Sequence, residues 1–459
     1  MSEVKVNKIS PRSGTDVTLG DSGDTITIPA GATFDASNAT TTLPANVVTT
    51  DGTQTLTNKT IDASQLSGTV ATSNLGTGTA DATTFLRGDQ TYASATPAAD
   101  SITTTQLAYN PNSFRNIIIN GDMSIAQRAT SASGLTGGAY NTADRFYLNM
   151  GTAGTWTNTI STDVPTGQGF AKSFKLDCTT ANASLSAGSY MTVQQRFEGQ
   201  NLQYLKKGTA NAESLTLSFW VKSNKTGTYI AYLRDGDNSR DISKSYTIDS
   251  ANTWEKKTLT FAGDTTGTLD NDNNLSFYVY FWLAAGTDYT SGTLATSWQS
   301  STAANNAVGQ VNLADSTSNE WYITGVQLEA GTTASDFEFL PHDVNERKCQ
   351  RYYFDYVKGT DQNVGMFTAY ATQGRLYGHI DFPVRMRTTP SLVSSNNSGD
   401  FASRKGNTEN FNNFAGFQHT GTLNCNIYSV DTITTVSSGE VVWVNTSAST
   451  SQLSFQAEL

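Results

Sequence analysis

Across the middle of the chain, apolar and polar residues alternate with a period of two. In LTLSFWVK, Leu215, Leu217, Phe219 and Val221 fall on one side of an extended strand. In LSFYVYFWL, Leu275, Phe277, Val279, Phe281 and Leu283 do the same. SFKLDC repeats the pattern with Phe174, Leu176 and Cys178, and MTVQQRF with Met191, Val193, Gln195 and Phe197. Successive side chains of a strand point to opposite faces, so this pattern predicts half-buried strands. Many short strands, Gly/Asn/Asp turns and almost no helical periodicity predict a β-sandwich of two sheets over residues 113–345, and the strand count suits a jelly roll. Six of the seven tryptophans lie in this span.

The first 110 or so residues are of another kind. Their aromatics are Phe34, Phe85, Tyr92 and Tyr109, and five of the nine prolines fall by position 111. Turn signals (SGT, DSGD, AGAT, TDGT, LSGT) punctuate short Thr/Val/Ile pieces such as DTITIPA. The run DGTQTLTNKTID holds two large apolar residues, Leu56 and Ile61, among strand-prone threonines. A disordered linker is one reading of such a segment. The other is a shaft: one apolar residue per turn buries nothing alone, but three copies around an axis supply a thin shared core. Residues 1–45 are then an attachment segment and 46–112 a trimeric shaft or linker. Beyond 345, ERKCQRYYFDY reads as a short helix or turn leading into a strand. RLYGHIDFPV, CNIYSV, EVVWVN and LSFQAEL read as further strands, making 346–459 a small all-β head. The fold class is all-β throughout.

Charge and chemistry narrow the function. A net charge of -11, with no basic run, argues against nucleic acid and anionic membrane as partners. MSEVKVNKIS has no apolar core, so no secretory signal is expected, and VYFWLAA is far short of a membrane span. Synthesis in a reducing cytosol fits Cys178, Cys349 and Cys425, which are odd in number, widely spaced and expected to be free, buried thiols. His342, His379 and His419 are isolated, and no nucleophile elbow, phosphate loop or dinucleotide fingerprint is present. No catalytic residue, metal or cofactor is expected. DGDNSRD (Asp235, Asp237, Asp241) and DNDNN (Asp270, Asp272) alternate oxygen ligands as a calcium loop does, but lack the closing Glu of an EF-hand; solvated turns are the simpler account.

The sharper feature is the other face of two strands. Tyr278, Tyr280 and Trp282 alternate with the core-facing set, and Trp220 sits on the matching face of its own strand. Such a row either stacks on sugar rings or is covered by loops, a neighbouring subunit or the second sheet. In FNNFAGFQHTG, Phe411, Phe414, Phe417 and His419 either decorate an exposed distal loop or belong to the core.

VNKISPRSGTDVTLGDSGDTITIPAGATF resembles the N-terminal segment of tail-fibre-like virion proteins of marine cyanobacterial phages, and LGTGTADATTFLRGDQTYA resembles a recurrent shaft motif of phage fibres. FRNIIINGDMSIAQRAT with ADRFYL resembles the start of a carbohydrate-binding-module-like jelly roll found in phage structural proteins, and ITGVQLEAGTTASDFEFLPHDVNERKCQRYY its end. SFWVKSNKTGTY and NTWEKKTLTFAGDTTG lie between them, while FPVRMRTTPSL and the closing AEL are similar to terminal heads of such proteins. The resemblance implies a homotrimeric virion fibre held by its N-terminus to other tail or collar proteins, its distal domains facing host-surface polysaccharide. It carries over no sugar-contact residues and leaves tail, collar and capsid positions open. Attachment without catalysis is the expected function. A polysaccharide-cleaving tailspike and a purely structural appendage are the alternatives, and the parallel β-helix repeat of the former is missing from the sequence.

Overall fold

The alternating strands form two facing antiparallel sheets. The computed structural model describes residues 6, 9–36, 38–40, 75, 77, 84–87, 90–94, 114–370, 374–405, 407–418 and 420–459. Residues 1–96 and 97–459 form two units.

In the first unit, the described part of 9–40 contains neither strand nor helix, and Val17, Leu19, Ile26, Ile28 and Phe34 are all exposed. DGTQTLTNKTID, with Leu56 and Ile61, lies outside the described residues, as does most of the expected shaft. The motif TFLRGDQTYA folds as a small hairpin: Thr84–Leu86 pairs with Tyr92–Ser94, and the Arg87 and Gln90 amides close the turn onto Thr91 and Arg87 carbonyls at 2.8 and 2.9 Å.

In the second unit the sandwich comprises a seven-stranded and a six-stranded sheet. The first runs, in spatial order, Gln299–Ser300, Arg240–Ile248, Gly227–Asp235, Leu275–Ala285, Tyr190–Glu198, Tyr147–Gly151 and Ala139–Tyr140. The second runs Glu255–Phe261, Leu215–Ser223, Glu320–Ala330, Ser173–Thr180, Thr155–Ser161 and Ser131–Leu135. Their inner faces share one core. Leu217, Phe219 and Val221 meet Phe277, Val279 and Phe281 there, with Phe219 and Phe281 edge to face at 5.0 Å. Gln195 lies in the expected inward row yet is polar. Its side chain accepts from the Ile119 amide at 2.7 Å and donates to the Ile119 carbonyl at 2.9 Å, which satisfies it and pins the incoming chain.

ERKCQRYYFDY belongs to an α-helix, His342–Gln350, and then the strand Tyr353–Lys358. Asp343 in its first turn and Arg347 and Lys348 in its last complement the helix dipole. Asn345 and Cys349, four apart, form its buried face. The expected boundary at 345 therefore falls inside a helix. The head follows as a three-stranded sheet (Tyr353–Lys358, Gln452–Gln456, Ser391–Ser394) over a seven-stranded one centred on Val441–Thr446, Asn363–Tyr370 and Arg375–Asp381. RLYGHIDFPV, CNIYSV, EVVWVN and LSFQAEL are all recovered as strands. Cys178, Cys349 and Cys425 are free and buried.

A charged junction joins head to sandwich. Arg145, 1% exposed, donates to Glu458, which also accepts from Arg128 at 3.1 Å. The Arg145 guanidinium lies 3.5 Å over the Tyr352 ring, and the Tyr352 hydroxyl donates to Glu198. Glu198 takes a bidentate pair from Arg351 at 2.8 and 2.6 Å. Burial opposes its charge, but these bonds hold its carboxyl below the usual glutamate range. Arg387 ties three carbonyls together, those of Asn273, Ala457 and Glu458. Arg196 and Tyr140 hold the Leu459 carbonyl at 2.6 and 3.2 Å.

Two expectations follow. Glu458→Ala leaves Arg145 buried without a counter-charge and should cost about 3–5 kcal/mol; urea unfolding of the whole chain measures this, and a loss near zero would refute the junction's role. Asp144, beside this cluster, has its carboxyl raised by burial from 3.8 to about 6, against the hydrogen bonds from Gln127 and the charge of Arg128. The folded state then holds a proton that the unfolded state has released. Its penalty is absent below about pH 4, grows through the window and is complete above about pH 6, at on the order of 3 kcal/mol. Asp144→Asn should flatten that fall in stability with rising pH; an unchanged slope contradicts the assignment.

Candidate functional site

Of the four aromatics expected on one face, three share it and one does not. Tyr278, Tyr280 and Trp282 point outward from Leu275–Ala285 in the seven-stranded sheet. Trp220 points outward from Leu215–Ser223, which belongs to the six-stranded sheet. The two sheets face each other, so equivalent outward positions end on opposite sides of the sandwich. Trp220 thus has no part in the Tyr280 surface.

Register assembles the remainder. Tyr280 is opposite Tyr232 on one side and Gln194 on the other, and Tyr278 is opposite Arg234 and Arg196. Tyr278 and Tyr280 stack at 5.4 Å with 24° between their planes, and Tyr232 meets Tyr280 edge to face at 5.1 Å. The row is no flat, open platform. The segment after Gly286 folds back over it, with a helical turn at Thr287–Thr290 and Ala307 bonded to the Tyr289 carbonyl at 2.9 Å. Tyr289 lies against Trp282 at 5.2 Å, and Trp282 is left only 5% exposed. For Trp282, covering by a loop is the correct alternative; Tyr278 and Tyr280 stay half-buried.

The result is a cleft of about 230 Å³. Tyr280, Trp282, Tyr232 and Thr192 line it, with Tyr190, Tyr289, Asn149, Asn306 and Arg234 around them. This is below the roughly 300–1,000 Å³ of drug-sized sites and suits a single ring. Three polar atoms of its lining, Trp282 Nε1, Asn306 Oδ1 and Arg234 Nε, are buried without a hydrogen-bond partner among the described residues. Buried polar groups are nearly always paired, and leaving one unpaired costs about 1–3 kcal/mol. Burial raises the Tyr232 and Tyr280 hydroxyls above the ordinary tyrosine range, so both stay protonated donors. Beneath the cleft Asp241, fully buried, accepts from the Tyr232 hydroxyl at 3.2 Å and faces Arg234 across the strands.

Tyr190, Tyr232, Tyr289, Arg234 and Asn306 escaped the sequence reading. In GTYIAYLRD both faces are apolar enough that alternation does not say which is outward. Tyr289 and Asn306 lie on a connection with no periodicity at all.

Phe411 and Phe414, expected as distal-loop candidates, are core residues instead, 1% and 3% exposed. They pack with Phe401 at 5.7 and 4.9 Å, because Asn412 and Asn413 are only a two-residue connection between the strands Asn407–Phe411 and Phe414–Gln418 rather than a projecting loop. His419 and the side chain of Phe417 lie outside the described residues. The outward aromatics of the head are Trp443 and Tyr370, flanked by Met366 and Val441. The acidic runs are used internally: Asp235 pairs with Lys207 and Asp237 accepts from the Asp270 amide. Among the described residues no cluster of three or more His, Cys, Asp or Glu is placed to hold a metal.

No family model matches the chain, and no curated protein matches it. Among solved structures it is similar to the enzymatically active domain of bacteriophage CBA120 tailspike protein 4, at 16% identity and a TM-score of 0.25, over 47% of this chain and 21% of that one. It is also similar to the C-terminal family 22 carbohydrate-binding module of Clostridium thermocellum Xyn10B, at 12% identity and a TM-score of 0.23, over 49% of this chain and 99% of that one. A family 11 module from Clostridium thermocellum, in complex with a β-1,3-1,4-mixed-linked tetrasaccharide, aligns at 12% identity and a TM-score of 0.22, over 42% of this chain and 91% of that one. At such scores the likenesses are remote, and the ligand has to be read from the cleft itself.

Proposed function

We propose that this chain is a non-enzymatic phage fibre protein that attaches to host-surface glycan through the cleft on its seven-stranded sheet. The observation that carries the reading is the aromatic group of Tyr280 with Tyr278 stacked on it and Tyr232 edge to face, beside the polar side chains of Asn149, Thr192 and Arg234 at the same cleft. A sugar ring matches both: its C–H face stacks on an aromatic, and its hydroxyls both donate and accept. No carboxylate lines the cleft, so it holds neither half of a glycosidase acid–base pair. The fibre assignment rests on the resemblance of the attachment and shaft motifs, and on exposed Leu19, Ile26, Ile28 and Phe34, which a single chain leaves unburied. In this reading the head, from Glu346 onward, is carried farthest from the virion and adds contacts through Trp443 and Tyr370.

Tyr280→Ala should weaken binding of sensitive-host polysaccharide by about 0.5–1.5 kcal/mol per site, multiplied where several sites engage together. Adsorption competition with the intact protein measures it, and Trp443→Ala in the same assay reports the head's share. If neither substitution matters, the protein is a structural appendage. Incubation with that polysaccharide should release no new reducing ends; release would make the protein a depolymerase. Light scattering should give about three times the chain mass of 49.2 kDa. A folded monomer would refute the shared shaft core.

A further inference from the structure

We propose that the sandwich carries a second, independent sugar site on its opposite outer face, built on Trp220 and suited to a neutral pyranose. The inference rests on the glycan-binding reading above. Trp220 is half-buried at the floor of a cavity of about 310 Å³. Three phenylalanines wall it: Phe170 lies 5.1 Å from both Phe337 and Phe339, and those two are 4.8 Å apart. The cavity is shaped by the backbone. The strand Glu320–Ala330 has a bulge between Thr324 and Gln327 that places Gly325, at φ +61°, under the Phe170 ring. A Cβ there would come within 2.5 Å of Phe170, so a larger residue would push that wall aside. Bulges of this kind recur beside binding sites, where they re-aim a strand.

The rim is polar. Lys256, cross-strand partner of Trp220, is exposed beside it, and Gln168 and Asp336 also line the cavity. One cation, one carboxylate and one amide provide donors and acceptors without net charge, which matches ring hydroxyls better than a fixed anion. With two sheets about 10 Å apart and the core between them, one ring cannot touch Trp220 and Tyr280 together. Each face must take its own ring, so one jelly roll can hold two glycan strands.

The intact protein labelled with 5-fluorotryptophan tests this by ¹⁹F NMR. Trp220→Phe and Trp282→Phe assign the two resonances, and the probes are the neutral methyl pyranosides of glucose, galactose and mannose. The expected result is that one of these sugars shifts the Trp220 signal and one shifts the Trp282 signal, each with its own saturation curve. Tyr280→Ala should abolish the second shift and leave the first. A shift at Trp282 with none at Trp220 overturns the second site while the proposed function stands. Loss of both shifts in Tyr280→Ala overturns their independence. Silence at both overturns the glycan reading itself.

Discussion

One buried ion pair constrains how the head meets the sandwich. Arg145 is out of water, and a guanidinium in that position is tolerable only if its charge is answered at short range. Glu458 answers it, from a position 313 residues further along the chain. The penalty for leaving either group alone is what keeps the head seated on the sandwich. Tyr352 lies between this pair and the Glu198–Arg351 pair, so the four charges act as one layer. The layer borders the outer face of the seven-stranded sheet. Arg196, opposite Tyr278 in register, holds the Leu459 carbonyl, so the head's last residue abuts the aromatic row.

Much of the architecture was legible in the sequence because a two-residue period has one physical cause. Leu217, Phe219 and Val221, or Phe277, Val279 and Phe281, can satisfy alternation only by facing a core. The head strands were legible for the same reason. The site was legible in part. The outward aromatics of Leu275–Ala285 were visible as a violation of the rule that outward positions are polar. Which sheet each strand joins was not visible, since alternation carries no pairing information, and Trp220 was therefore grouped with residues on the far side. Phe411 and Phe414 illustrate the converse: aromatics near Gly and Asn read equally well as loop decoration or as core residues at strand ends. The junction was hidden altogether. Arg128, Arg145, Arg351, Tyr352 and Glu458 lie in FRNIIINGDMSIAQRAT, ADRFYL, ERKCQRYY and AEL, among the most distinctive stretches of the chain, yet nothing local says that they meet.

The cleft combines rigidity with incompleteness. Its floor strands are hydrogen-bonded on both sides, and its covering segment is tied down through Ala307 and through Ser243, which donates to the Asn306 carbonyl at 2.9 Å. The cleft is therefore held in one shape by its own hydrogen bonds, with little left to order. Trp282 Nε1, Asn306 Oδ1 and Arg234 Nε are buried there without partners among the described residues, at a cost of about 1–3 kcal/mol each.

The charged junction also bears on how such proteins can be recombined. A breakpoint between sandwich and head looks natural near residue 345, where the strands of one give way to a helix. A foreign head joined there without a carboxylate at the place of Glu458 would leave Arg145 of the resident sandwich stranded. Exchange of heads therefore needs a donor whose closing residues present an acid to that arginine. The compatibility code between modules is written in the last few side chains rather than at the seam.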